Sequence, residues 1–269
     1  MIPSTPQIVK VIVIRTAGTN CNEETAFAFS RLGAEVSQVH INALIAGEVK
    51  LESYHILALP GGFSYGDDIA SGRILANELR LKLGHDIQKF IKDGKLVIGI
   101  CNGFQILVKA GILPGLGMRV GQEATLFNND SAKFESRWVH LKMESRCVWT
   151  KNIAPQIYLP VAHGEGKFIA RDKRVMDALV GNGQIVLRYC NPEGGKPAYP
   201  QNPNGSIDDI AGICDTTGRV FGLMPHPERH FFFEQHPFWT RLKKQNEFGD
   251  GAKIFENGIN YVKESLLRK

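Results

Sequence analysis

Long hydrophobic runs, paired cysteines and blocks of one charge are all missing from this 269-residue sequence, and each absence narrows what the chain can be. No apolar stretch approaches the ~20 residues that a membrane-spanning helix needs, so a soluble protein with no membrane partner is expected. The five cysteines, Cys21, Cys101, Cys147, Cys190 and Cys214, are scattered and odd in number, with no C-x-x-C pair. That pattern offers no disulfide framework and no zinc-finger spacing, and it fits a reducing cytoplasm. The start, Met1 to Gln7, lacks the basic segment and apolar core of a secretory signal. Net charge is only +5 and no Lys/Arg stripe stands out, which argues against nucleic acid and leaves anionic substrates or an acidic partner.

What is present is α/β patterning. Ile8–Ile14 is β-branched and continuously apolar, as a central parallel strand covered on both faces must be. A helix follows over about Asn22–Leu32, closed by Gly33, and then a strand over Ala34–Ile41. Tyr54–Leu59 reads as the next strand, ending at Pro60-Gly61-Gly62; one long helix is expected over Gly72–Asp93, then strand Leu96–Ile100. Alternating strands and helices predict a doubly wound, mostly parallel sheet flanked by helices, flavodoxin-like, in a single domain over residues 1–269. From about Met118 to Arg188 the pattern turns strand-rich, and Asn191–Ser206 reads as an ordered loop. Ile210–Cys214 and Val220–Met224 read as a hairpin, and Ala252–Leu267 as a packing helix with Ile254, Phe255, Ile259 and Val262 on one face.

The chemistry begins at Gly99-Ile100-Cys101-Asn102-Gly103, directly after the apolar run Leu96-Val97-Ile98. G-x-C-x-G is the thiol version of the nucleophile elbow, in which a strand turns sharply into a helix and lifts its central side chain above the sheet. Flanking glycines remove the Cβ atoms that would clash there. A thiol at a helix N-terminus is biased toward thiolate. A cysteine nucleophile needs a base, and the base an orienting acceptor. His226 and Glu228, in Met224-Pro225-His226-Pro227-Glu228-Arg229, supply both. In extended backbone, residues two apart share a side, and Pro227 keeps His226 out of the α region. Gly61 and Gly62 can offer unobstructed backbone N–H groups to an oxyanion, with the N–H of Asn102 as the second donor. Alone, a cysteine at a strand end is more often a small buried hydrophobe. Elbow and His-Pro-Glu together, in this order on an α/β pattern, favour catalysis.

These residues resemble the class I (triad) glutamine amidotransferases, whose elbow reads G-x-C-x-G-x-Q and whose base motif reads H-P-E; here they are Gly99–Gln105 and His226–Glu228. Gly18-Thr19-Asn20-Cys21, Pro60–Asp67, His163-Gly164-Glu165-Gly166 and Asn202–Ser206 extend the resemblance over nearly the whole chain. They resemble most the branch that feeds ammonia to the amination of formylglycinamide ribonucleotide in purine biosynthesis. The resemblance implies that Cys101 attacks the side-chain amide of glutamine to form a γ-glutamyl thioester. His226 would protonate the departing ammonia and then activate water, while Glu228 holds its ring. It further implies that Gln105 holds the substrate amino acid, with His163 or Glu165 near the same pocket. The ammonia acceptor, with ATP and magnesium, would belong to a separate large synthetase subunit, accompanied by a small accessory subunit. No cofactor and no metal is expected in this chain. The long segment between elbow and base also resembles the domain fused within single-chain synthases.

Other readings of the residues stay open. A free-standing cysteine hydrolase of γ-glutamyl amides, or a non-catalytic scaffold or sensor, would share this fold. Cys21 reads as a structural loop thiol or as a second reactive one. His226 and His230 are four apart, as helical metal ligands can be, but Pro227 intervenes. Asp67-Asp68 reads as a capping or partner-facing loop or as a carboxylate pair. The aromatic stretch Phe231–Trp239 reads as core or as a docking surface, and Lys109 has no assigned role.

Overall fold

The computed structural model describes residues 7–67, 69–117, 122–145, 147–244 and 246–268. The expectations that touch Met1–Pro6, Asp68 and Met118 therefore lie outside the described residues. In chain order the elements are β1 (Lys10–Arg15), α1 (Asn22–Arg31), β2 (Glu35–His40), a short α2 (Ile41–Ile45), β3 (Ile56–Leu59), α3 (Arg73–Lys82), α4 (Gly84–Lys92) and β4 (Leu96–Ile100). They continue with α5 (Asn102–Lys109), β5 (Ala124–Asn128), β6 (Glu135–Met143), β7 (Gln156–His163), β8 (Glu165–Ala170), α6 (Lys173–Gly181) and β9 (Ile185–Cys190). The last are β10 (Ile210–Cys214), β11 (Val220–Leu223) and α7 (Ala252–Tyr261).

A nine-stranded sheet in the order β2-β1-β3-β4-β11-β10-β9-β6-β7 organises the molecule, with β5 and β8 as a separate ribbon. The half that begins with β2 and ends with β11 is parallel. From β11 through β10, β9, β6 and β7 the pairing is antiparallel, which is the strand-rich second half of the sequence. The central strands are buried on both faces: β3, β4, β10 and β11 are buried at every residue. This is why they read as continuous apolar runs rather than alternating ones. Burying such strands stabilises by roughly 25 cal/mol per Å² of apolar surface; around them, buried Phe29 of α1 packs edge-on against Phe255 of α7, and Phe104 of α5 stacks on Phe168 of β8.

Two helix expectations need correction. The single helix over Gly72–Asp93 is two helices, because Leu83 leaves helical geometry at φ −122° and ψ 6° and Gly84 restarts the chain. Glycine is the poorest helix former but proline, and the break lets Ile87 and Phe90 of α4 face the core independently of Leu75 and Leu79 of α3. The C-terminal helix is α-helical only to Tyr261 and then widens into a π turn over Val262–Leu266. Its expected face is right: Ile254, Phe255, Ile259 and Val262 are all buried. The Asn191–Ser206 loop is ordered by asparagine side chains, Asn191 accepting from Gly195 N at 2.7 Å and Asn202 donating to Asp209 at 2.8 Å. Among the described residues no helix is long and apolar enough to cross a membrane.

Candidate active site

Three neighbouring parallel strands deliver the expected groups to one end of the sheet. Register pairs Leu59 of β3 with Gly99 of β4, and Ile100 of β4 with Leu223 of β11. Gly61 and Gly62 follow β3, Cys101 follows β4, and His226 follows β11, so all leave the sheet at its carboxyl edge, where parallel sheets place their sites. Cys101 N donates to Leu223 O at 2.8 Å, tying the elbow to the strand that leads to His226.

At the elbow, Cys101 adopts φ 51° and ψ −104° immediately before α5. A non-glycine residue held at positive φ stores strain of order 1–3 kcal/mol, which persists only where the surroundings enforce it. They do: a Cβ on Gly103 would lie 1.9 Å from Leu59 O, and one on Gly99 would lie 2.6 Å from Gly103 O. The two glycines are thus a requirement of backbone crossing backbone. The Cys101 Sγ rests 3.6 Å from Ala162 O.

His226 is buried at 1 % exposure, and its Nδ1 lies 2.5 Å from Glu228 Oε1. Its backbone N donates to Pro160 O at 2.8 Å. The ring's Nε2 is buried with no formed hydrogen bond, and catalytic contacts of this kind commonly tighten only when substrate arrives. Burial opposes charging this imidazole, yet the charges of Glu228 and Cys101 outweigh it and hold its pKa well above the ordinary histidine range. A Cβ on Gly61 would meet His226 Cε1 at 2.8 Å and Cys21 Sγ at 3.0 Å. The Gly61-Gly62 turn and the His226 ring are therefore packed face to face, and only glycine fits between them. Gly62, at φ 145°, is pressed against Thr19 and Asn20 in the same way.

The other expected residues divide. The Asn102 side chain is spent on scaffolding: its Oδ1 accepts from Ser64 N, and its Nδ2 donates to Asp67 and to Gln105 Oε1. Gln105 then donates to the backbone carbonyl of Glu165, so its amide is already committed at both ends. Glu165 accepts from Ser71 N at 3.2 Å and pairs with Lys109 Nζ at 3.3 Å. Lys109, which sequence reasoning left without a role, also donates to Ser71 O at 2.6 Å, and its burial lowers its pKa. Asp67 accepts from Gly72 N at 3.0 Å, which is the capping use of that loop. His163 is buried, held by Asn129 at 3.1 Å, and pushed down to about 3 by burial and by His226. It is a neutral neighbour of the site whose Nε2 has no hydrogen-bond partner.

Two contributions had no signal in the sequence. The outer edge of β7 lies across the site, with Tyr158 O accepting from His230, Pro160 O from His226 N, and Ala162 O facing Cys101. Nothing local marks an edge strand as the roof of a site formed by strands in the middle of the sheet. His230 is thereby occupied away from His226, so the two do not act as a helical metal pair. Arg229 bridges Glu24 at 2.9 Å and Cys21 Sγ at 3.1 Å; the motif contained it, but its partners come from α1. The aromatic stretch also splits, with Phe231 in the core against Phe27, Phe248 and Phe255 while Phe238 and Trp239 are exposed.

The chain is also similar to known proteins over nearly its whole length. Residues 8–262 match the CobB/CobQ-like glutamine amidotransferase domain family. The chain is similar to the phosphoribosylformylglycinamidine synthase subunit PurQ of Dehalococcoides mccartyi, 48 % identical over 95 % of this chain and 98 % of that protein. The PurQ subunit of Methanococcus maripaludis is 45 % identical over 94 % of this chain and 97 % of that protein. Among solved structures, that of PurLQS from Thermotoga maritima matches with a TM-score of 0.73 and 33 % identity, covering 95 % of this chain and all of the matched one. These end-to-end matches to proteins named as subunits correct the expectation drawn from the elbow-to-base length: that segment is shared with separate subunits rather than marking a fused domain. On these likenesses, the chain belongs to the PurQ family of glutamine amidotransferases.

Proposed function

We propose that the chain is the glutaminase subunit of phosphoribosylformylglycinamidine synthase. It hydrolyses glutamine to glutamate and ammonia, and the ammonia passes to a synthetase subunit that aminates formylglycinamide ribonucleotide in purine biosynthesis. The observation that carries the reading is the strained Cys101 at the elbow, facing a buried His226 whose other nitrogen is held by Glu228. In this reading Cys101 Sγ attacks the amide carbonyl of glutamine. The negative oxygen of the tetrahedral intermediate is met by backbone N–H groups of Gly61, Gly62 and Asn102, and such donors are worth about 10²–10³ in rate each. His226, favoured in its charged form by Glu228 and Cys101, gives its Nε2 proton to the departing ammonia. The thioester is then opened by water that returns a proton to His226. Glu228 keeps the ring in one tautomer throughout. Gln105, Glu165 and Asn102 act by fixing the elbow and the Ser64–Gly72 loop, and His163 walls the pocket as a neutral ring.

A synthetase partner follows from the assembly of the Thermotoga relative, whose structure is named for three components. ATP and magnesium belong to that partner, and a small accessory subunit completes the complex. The test is reconstitution with the synthetase. Cys101→Ser is expected to lower glutamine-dependent synthesis by at least ~10³-fold, the scale on which nucleophile removal acts, while ammonia-dependent synthesis continues. Survival of both activities would show that Cys101 is not the nucleophile. Turnover of glutamine by the isolated chain at the full rate of the complex would favour a free-standing hydrolase.

A further inference from the structure

A second cluster of ligating groups gathers around His226, and Cys101 is not among its members. Cys21 and Glu24 come from the start of α1, and His226 and Glu228 from the exit of β11. One donor atom from each lies within 4.8 Å of every other. A thiol, an imidazole and two carboxylates form the mixed donor set that zinc accepts in four-coordinate sites. Glu228 adds an independent sign: its Oε1 holds His226, while its Oε2 is fully buried with no hydrogen-bond partner.

This cluster already holds a positive charge. The Arg229 guanidinium reaches in from the rim, with Nε on Glu24 and Nη2 on the Cys21 sulfur. Arg229 keeps 35 % of its side chain exposed, whereas Cys21 is 2 % exposed. The arginine can therefore swing out to solvent, while the thiol cannot leave.

We propose that Cys21, Glu24, His226 Nδ1 and Glu228 form an inhibitory site for a zinc-like divalent cation, which enters by displacing the Arg229 guanidinium. The thiol proton and the Nδ1 proton leave to solvent as the ion takes their place, so a dication enters and two protons depart. The Glu228 carboxylate turns from the ring nitrogen to the metal. His226 then has no orienting acceptor, and with the metal on Nδ1 the ring's one remaining proton occupies Nε2, so Nε2 cannot accept the proton of Cys101. The inhibitory consequence rests on the reading of His226 as the catalytic base; the binding of the ion does not.

The experiment is a titration of the full chain with Zn²⁺ against a chromophoric chelator, followed by the same Zn²⁺ series on glutamine-dependent turnover in the reconstituted complex. One ion per chain is expected. Cys101→Ser should keep its zinc affinity within about threefold, because Cys101 is not one of the four ligands. Cys21→Ser should weaken binding by about a hundredfold, and Glu24→Gln by about tenfold, loss of ligands being at least as costly as loss of their supporting partners. Circular dichroism confirms that each variant is folded, and Glu24→Gln, at a part-exposed position, keeps the test valid if Cys21→Ser is not. Unchanged affinity in both variants, or loss of binding in Cys101→Ser, overturns the site. Binding that leaves glutamine-dependent turnover untouched overturns the inhibitory role. Because the chelator titration needs no catalysis, a failed active-site assignment and a failed metal site give different results.

Discussion

At the scale of single residues, the candidate site sets two buried histidines in contrast. His226 is held well above the ordinary range because Glu228 and Cys101 outweigh its burial, while His163 is pushed down to about 3 because burial dominates. The contrast has a measurable consequence for stability. Below about pH 6.5 the unfolded chain takes up a proton at His163 that the folded chain refuses, so this residue's contribution is present above pH 6.5 and is lost as pH falls toward 3. The slope is at most about 1.4 kcal/mol per pH unit. His226 has the opposite sign: its contribution is present at low pH and is lost as pH rises through its elevated pKa. We expect His163→Gln to show a shallower acid limb than the wild type when unfolding free energy is measured between pH 6 and pH 4. Parallel limbs would mean that His163 is charged in the folded state. The sequence made Cys101, His226 and Glu228 legible because their motifs are local, and each spacing has a chemical reason. It left Cys21 and Lys109 without a role because their partners, Arg229 and Glu165, are far away in the chain.

At the scale of elements, the polar network around α5 decides how firmly Cys101 is held. Lys109 at the end of α5, Glu165 at the start of β8 and Ser71 in the loop before α3 converge on one buried ion pair. Asn102 and Gln105 attach the first turn of the same helix to the same loop and strand. Removing one member of a buried pair leaves the other charge without compensation, typically at a cost of about 3–5 kcal/mol, and less where some solvent reaches it. Lys109→Met is therefore expected to destabilise by about 2–4 kcal/mol, and addition of Glu165→Gln to recover part of that loss. Denaturant midpoints of the two single variants and the double variant decide it, and strictly additive losses would count against the pair. Periodicity found the strands around this network but not the break at Leu83. An apolar spacing that continues through a glycine does not reveal that the two halves face different neighbours.

At the scale of the whole molecule, the end of the sheet opposite the site carries stability without chemistry. Trp149 is fully buried, donates to Arg219 O at 2.9 Å, and packs so closely on α7 that a Cβ on Gly258 would lie 2.5 Å from its ring. Trp149→Ala should cost about 3–5 kcal/mol, the range for emptying a large aromatic site. The folded fraction should keep its glutamine-dependent kcat, because no residue of the site touches Trp149. Equilibrium unfolding with a parallel activity assay tests both halves, and a loss below about 1 kcal/mol would place Trp149 outside the core.

The sequence by itself determined the parallel half of the sheet, the elbow, the His-Pro-Glu motif and the turn at Gly61-Gly62. Each of these is set by local rules: strand burial, the steric needs of a sharp turn, and the geometry that proline imposes. The tertiary structure alone decided that the outer edge of β7 roofs the site, that Asn102, Gln105 and Glu165 scaffold it, and that Arg229 bridges Cys21 and Glu24. Those contacts join segments dozens to hundreds of residues apart. Their formation depends on how the antiparallel half of the sheet curls back over the parallel half, and no local pattern encodes that closure.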